Sequence, residues 1–169
     1  MTSEIIQNIL RWILLMAIQI LIFNNIYIGG VYNPYIYVLI LLSLPIEASV
    51  LVTLLIGFFT GFILDVFSHT YGLHTMAFTL FGFLRPIVLR LVAPRDGYAF
   101  GSNANVLDMQ LGRYSAYALL LIFSHHLLLF VLEGFSGGSV GSITMKVLVN
   151  TFLTFIVVLV SQSFTRKRA

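Results

Sequence analysis

The chain has 169 residues, of which 59% are hydrophobic and only 9% are charged, and its mean hydropathy is +1.01. A typical soluble domain carries about 25% charged residues, so the composition excludes a soluble globular protein. The scarcity of charge and the many aromatic residues exclude a disordered one. The net charge of +3 is scattered among apolar runs and forms no basic groove for nucleic acid. The chain lacks cysteine, which excludes disulfides and thiolate metal sites. We therefore predict a polytopic α-helical membrane protein.

Uncharged runs long enough to cross a bilayer follow one another along the chain. A spanning helix needs about 20 mostly apolar residues. Turn-forming pairs at Asn24-Asn25, Gly29-Gly30 and Asn33-Pro34 divide the longest run in two. The pattern predicts a single domain over 1–169 with six transmembrane helices, near residues 6–26, 35–46, 47–64, 71–91, 113–132 and 143–164.

The basic residues predict the orientation of these helices. Short cytoplasmic segments carry an excess of Lys and Arg. Arg11 lies near the start of the first predicted helix, and Arg166, Lys167 and Arg168 follow the last one. With six spans the Arg-rich loop after the fourth helix is also cytoplasmic, whereas five spans would turn that loop outward. We therefore expect both termini in the cytoplasm. The predicted cytoplasmic anchors, which also attract anionic lipids, are Arg85, Arg90, Arg166, Lys167 and Arg168.

Gly57 and Gly61 begin the most informative stretch of the sequence. They are four residues apart, so they share one helix face and let another backbone approach closely. Asp65 continues this face one turn later, and Gly72 and Gly82 belong to the next predicted helix. The four glycines are candidates for helix packing or partner contact. The pattern leaves open whether the packing lies inside the protein or against a partner.

The Gly-x-x-x-Gly-x-x-x-Asp run at 57–65, followed by Gly72 and a further apolar span with Gly82, resembles the signature of the rod shape-determining protein MreD family. This resemblance implies a bacterial inner-membrane protein with six spans and cytoplasmic termini. It also implies a non-catalytic scaffold that binds the membrane helix of MreC. Such a scaffold works beside MreB, RodA and its penicillin-binding transpeptidase in peptidoglycan elongation and rod cell shape. The family fold is similar to the substrate-binding component of energy-coupling-factor transporters.

Polar residues near the outer ends of the predicted helices suggest an alternative, a component that binds a vitamin-like small molecule for a membrane transporter. The candidate polar pocket contains Asp65, His69, His74, His126 and Lys146. Asp65 is the strongest candidate, because an ionisable group near the membrane is costly and often functional. A structural role for it, fixing the turn at 65–72, stays open. A small membrane enzyme using the histidines is a third possibility. The sequence carries no familiar catalytic or phosphate-binding motif, so we expect no enzymatic activity, no cofactor and no metal.

Overall fold

The computed structural model describes residues 2–26, 28–29 and 31–163, with side chains from residue 6 onward. The described residues form seven α-helices, and no β-strand occurs among them apart from two isolated bridges. The helices are α1 (Thr2–Leu21), α2 (Leu39–Leu42), α3 (Val50–Ser68), α4 (Leu73–Leu91), α5 (Val106–Met109), α6 (Leu111–Gly134) and α7 (Val140–Gln162). The protein is therefore all-helical, as the composition predicts.

Four stretches, at α1, α3, α6 and α7, are long and apolar enough to cross a membrane. Their outward surfaces are strongly apolar, with Ile9, Leu14 and Phe62 each more than half exposed. Soluble monomers rarely leave large contiguous apolar surfaces open to water. The protein is therefore membrane-embedded. Helix α4 is as long as α3 but is not among these four, and it carries two arginines within its length.

The predicted helix near 35–46 is much shorter in the structure. The segment begins extended, forms a 3-10 turn at Ile36–Val38, and continues as the four-residue helix α2. It is too short to span a bilayer as a helix. The prediction of a full second helix is wrong because its apolar residues face protein on all sides: Tyr37, Val38, Leu41 and Leu42 are completely buried. An apolar run alone does not distinguish such a segment from a spanning helix.

Helix boundaries elsewhere differ from the predictions by a few residues, and local capping explains two of them. Ser49 accepts a hydrogen bond from the Val52 amide, so α3 begins at Val50 rather than near 47. Ser139 accepts one from the Ser142 amide and starts α7 at Val140. Helix α3 ends four residues later than predicted, at Ser68, where His69 adopts a left-handed conformation with φ of 54°.

The bundle has two ends, which we name by their contents. The cavity end holds residues 22–26, 28–29 and 31–33 and the turns at 69–72 and 135–139, where Asn24 contacts Ser68 and Lys146 contacts Glu133. The arginine end holds residues 43–49 and 92–110, with Arg90, Arg95 and Arg113 in or beside it. Residues 31–47, which we call the crossing segment, return from the first end to the second. The Asn33 amide donates to Asn150 within α7, and the Ile46 amide donates to the Ser102 carbonyl at the arginine end.

Candidate functional site

A cavity of about 390 Å³ opens at the cavity end, between the last turns of α1, α3 and α6 and the first turns of α4 and α7. This volume is within the range of small-molecule sites. Apolar side chains such as Ile20, Leu73 and Leu129 form part of its wall. The polar side chains in the wall are Asn24, Asn25, Asn33, Tyr35, Ser68, Thr70, His74, Glu133 and Lys146.

Lys146 and Glu133 form the only ion pair between described residues, with Lys146 Nζ 2.9 Å from Glu133 Oε1. The pair joins the first turns of α7 to the last turn of α6, and both side chains are partly exposed. The Lys146 ammonium also lies 5.8 Å from the centroid of the Phe130 ring, within cation–π distance. The wall of the cavity therefore carries one cation and one anion side by side.

Beneath the cavity, His74 is connected to a buried hydrogen-bonded chain. The Tyr37 hydroxyl lies 3.0 Å from His74 Nδ1 and 2.7 Å from His125 Nε2, so it donates to one imidazole and accepts from the other. The neighbouring His126 pairs with the Thr151 hydroxyl at 3.0 Å. Among the described residues, His125 Nδ1 and His126 Nε2 are buried ring nitrogens with no hydrogen-bond partner. The polar region thus continues from the cavity into the core.

Asp65 is buried and caps the start of α4 instead of lining the cavity. One carboxylate oxygen accepts from the Thr70 hydroxyl at 2.5 Å and the His74 amide at 3.0 Å, and the other accepts from the Thr75 amide and hydroxyl at 2.9 and 2.6 Å. Although it lies in the last turn of α3, where the helix dipole disfavours an anion, it faces the favourable N-terminus of α4. The structure gives this carboxylate the structural role that the sequence left open.

Gly57, Gly61 and Gly82 pack α3 directly against α4. A Cβ atom at Gly61 would lie 2.5 Å from the Thr75 Cα, and one at Gly57 would lie 2.6 Å from the Phe78 carbonyl oxygen. Gly82 contributes from the other side, where a Cβ would lie 2.6 Å from the Thr53 carbonyl oxygen. The glycine face is therefore internal. Gly72 is the exception, since it has open space around it and is needed for its positive φ of 88° at the start of α4.

Arg85 is completely buried and does not reach the membrane surface. Its Nε donates to the Leu41 carbonyl at 2.9 Å and the Tyr117 hydroxyl at 3.0 Å, and its Nη2 donates to the Leu44 and Pro45 carbonyls at 2.6 and 3.1 Å. Tyr117 in turn donates to the Leu42 carbonyl. The prediction that Arg85 is a cytoplasmic anchor is wrong, because its guanidinium is buried and satisfies the free carbonyls at the end of α2.

The other predicted site residues separate into distinct places. His74 and Lys146 line the cavity, whereas His126 lies in the core behind it. His69 is exposed on the turn after α3 and is absent from the cavity wall. Arg90 is exposed at the arginine end, as expected of an anchor. Arg166, Lys167 and Arg168 lie outside the described residues. No cluster of three or more potential metal ligands occurs within the described part of the chain.

Several residues that hold the crossing segment beside the cavity were missed in the sequence, because their partners are far away along the chain. Gln19 Oε1 accepts from the Ile36 amide at 2.7 Å, and the Thr154 hydroxyl accepts from the Tyr35 amide at 2.9 Å. Asn150 and Thr154 are four residues apart in α7, so they share a face of that helix. Amide and hydroxyl groups on one face of a predicted spanning helix are the signal that would have indicated a buried backbone segment opposite α7.

Comparison of the chain with protein families, with characterised proteins and with solved structures finds no match.

Proposed function

We propose that this chain is a non-catalytic membrane scaffold of the MreD type, which binds the membrane helix of MreC and supports peptidoglycan elongation. The observation that carries the proposal is that the glycines and the aspartate of the 57–65 motif all contact α4. Gly57 and Gly61 seat α3 against α4, and Asp65 caps the same α4. The residues on which the resemblance rests therefore act as one structural unit, which suits a rigid platform for partner helices.

The proposal includes six spans with both termini in the cytoplasm of a bacterial inner membrane. The crossing segment supports it, because irregular backbone at membrane depth is tolerated only where protein surrounds it. The charge distribution supports it too: Arg90, Arg95 and Arg113 lie at the arginine end, and Lys146 lies at the cavity end. Such an excess of arginine marks the cytoplasmic side.

Because the glycine face is occupied by α4, the partner helix must dock elsewhere. Exposed aromatic side chains cover a neighbouring face of α3, where Phe58 and Phe62 stack with ring centroids 6.4 Å apart. We place the MreC contact on this face. MreB, RodA and its transpeptidase would then join through MreC or along the arginine end.

The test is co-purification of the full chain with tagged MreC from a bacterial membrane, beside a single-span helix of equal length as the control. We expect retention of MreC well above the control helix. A photocrosslinking residue at Phe62 should capture MreC, whereas one at Phe152, exposed on α7, should not. Equal retention of MreC and the control helix would refute the scaffold.

The cavity favours a second candidate, the small-molecule-binding component of a membrane transporter. It has the volume and the convergent polar groups that such sites require. Mass spectrometry of the purified protein separates the two candidates: a stoichiometric soluble ligand without wall-synthesis partners would favour the transporter component.

A further inference from the structure

The two charges of the cavity wall point to the kind of ligand it accepts. Lys146 and Glu133 have side chains 29% and 44% exposed, so a ligand can reach both without unfolding either helix. Every other described side chain in the wall is neutral or a histidine. A ligand with an ammonium group and an anionic group could pair with both, its ammonium facing Glu133 and its anion facing Lys146. Each protein charge would then exchange one ionic partner for another.

Neutral groups nearby suit the anionic part of such a ligand. The Ser68 hydroxyl oxygen accepts from Asn24 Nδ2 at 3.0 Å, which leaves its proton to donate. The Asn33 side chain also lines the cavity. Oxygen-rich anions such as phosphate are bound by a lysine together with hydroxyl and amide donors.

One part of the cavity's rim is apolar and exposed. Val31 and Phe67 both line the cavity, and they are 50% and 59% exposed. The cavity lies where the apolar helices end, and in the proposed membrane topology the ends of spanning helices lie where lipid headgroups meet hydrocarbon. An accessible pair of opposite charges beside an apolar part of the rim suits an amphiphile with a zwitterionic head.

We propose that the cavity binds a phosphoethanolamine group, carried by an aminophospholipid or by a soluble glycerol phosphodiester. This site is independent of MreC binding, and it deepens the second candidate function by naming its ligand class. Methylation of the ammonium removes the N–H donors that Glu133 accepts from, and a glycerol head has no cation at all. The site therefore discriminates between headgroups of similar size.

The experiment titrates the full-length detergent-solubilised protein by calorimetry with four probes: dihexanoyl phosphatidylethanolamine, the matching phosphatidylcholine and phosphatidylglycerol, and glycerophosphoethanolamine. We expect one phosphatidylethanolamine per chain, bound at least tenfold more tightly than the other two lipids. Equal affinity for glycerophosphoethanolamine identifies a soluble source, and weaker affinity identifies a lipid source. Phosphatidylcholine binding as tightly as phosphatidylethanolamine would overturn the proposal.

Glu133→Gln and Lys146→Gln should each weaken phosphatidylethanolamine binding at least tenfold. Asp96→Asn and Arg95→Gln, which remove exposed charges at the arginine end, are the matched controls and should leave it unchanged. Wild-type affinity in both cavity variants would contradict the assigned contacts. MreC recovery is measured on the same preparations, so that absent lipid binding with MreC retained overturns this inference alone.

Discussion

The α3–α4 pair and the crossing segment satisfy the same requirement by opposite means. In a membrane, every backbone amide and carbonyl needs a partner within the protein. Helices α3 and α4 meet this need internally and then pack backbone to backbone through Gly57, Gly61 and Gly82. The crossing segment has only a 3-10 turn and the four-residue α2, so side chains from other helices complete its hydrogen bonds.

The side chains that bind the start of the segment are hydrogen-bond acceptors, and those that bind its end are donors. Near the start of the segment, backbone amides donate hydrogen bonds to the side chains of Gln19, Asn150 and Thr154. Near its end, backbone carbonyls accept hydrogen bonds from the side chains of Arg85 and Tyr117. In this protein, the two regular helices pack closely through small residues. The interrupted segment instead needs side-chain acceptors for the amides at its start and side-chain donors for the carbonyls at its end.

Arg85→Met should have the largest effect, because it leaves the carbonyls of Leu41, Leu44 and Pro45 without the guanidinium donor. A buried hydrogen bond to a charged group contributes about 1.5–3 kcal/mol, so we expect a loss of at least about 4 kcal/mol in the free energy of unfolding, measured in detergent micelles. Arg90→Met, at an exposed arginine five residues later, is the control and should change stability by less than about 0.5 kcal/mol. Equal effects of the two variants would show that Arg85 does not hold the crossing segment.

Gly61→Ala tests the close packing of α3 against α4. The added methyl would overlap the Thr75 Cα and the His74 carbonyl, which are backbone atoms and cannot rotate away. Overpacking of this kind costs about 1–3 kcal/mol, and we expect the upper part of that range from thermal or denaturant unfolding. Gly112→Ala is the matched control, since Gly112 is helical with nothing within 4 Å. It should be neutral or slightly stabilising, and a destabilisation equal to that of Gly61→Ala would refute close packing.

Asp65→Asn should have an intermediate effect. The amide keeps one acceptor oxygen but turns an NH₂ group toward donors of Thr70, His74 or Thr75. We expect a loss of about 1–2 kcal/mol in the free energy of unfolding, and a larger loss for Asp65→Leu. Asp96→Asn, at an exposed carboxylate, is the control. Unchanged stability in both Asp65 variants would mean that the carboxylate does not cap α4.

Thr154→Val should have the smallest effect, because it removes a single acceptor from the Tyr35 amide while keeping the shape of the side chain. The expected loss is about 1 kcal/mol. Thr144→Val in the same helix is matched to it, since that exposed hydroxyl only donates to the Val140 carbonyl. The difference between the two variants isolates the contribution of one hydrogen bond to the crossing segment, and no difference would mean that this bond adds nothing.

The same contrast explains how much of the molecule could be predicted from its sequence. The glycine spacing and Asp65 are local patterns, and they correctly indicated a close-packed face at 57–61 and offered a turn-fixing role for the carboxylate. The crossing segment could not be predicted, because Gln19, Arg85 and Asn150 lie far from it in sequence. Arg85 was assigned to the surface for the same reason: its partners are main-chain carbonyls, which no sequence pattern reveals.

Of the cavity, His74 and Lys146 were predicted as members, but Glu133 and Asn33 were not included. The position of the ion pair depends on how α6 and α7 meet, which follows from packing rather than from spacing. His69 was included because it lies near the outer end of a predicted helix, as the other candidates for the polar pocket do. The left-handed conformation at His69 ends α3 there, and its exposed side chain is not part of the cavity wall.

The central claim is that the crossing segment passes through the membrane. The most direct test determines on which side of the membrane each of its two flanks lies. Single cysteines at Asn25 and Glu47, both exposed, are introduced into the naturally cysteine-free chain and treated with an impermeant thiol reagent from outside the cell. We expect labelling at Asn25, and also at Thr70 and Gly138, and none at Glu47 or Ser102. Labelling of Glu47 as strong as that of Asn25 would contradict a chain that crosses the membrane between them.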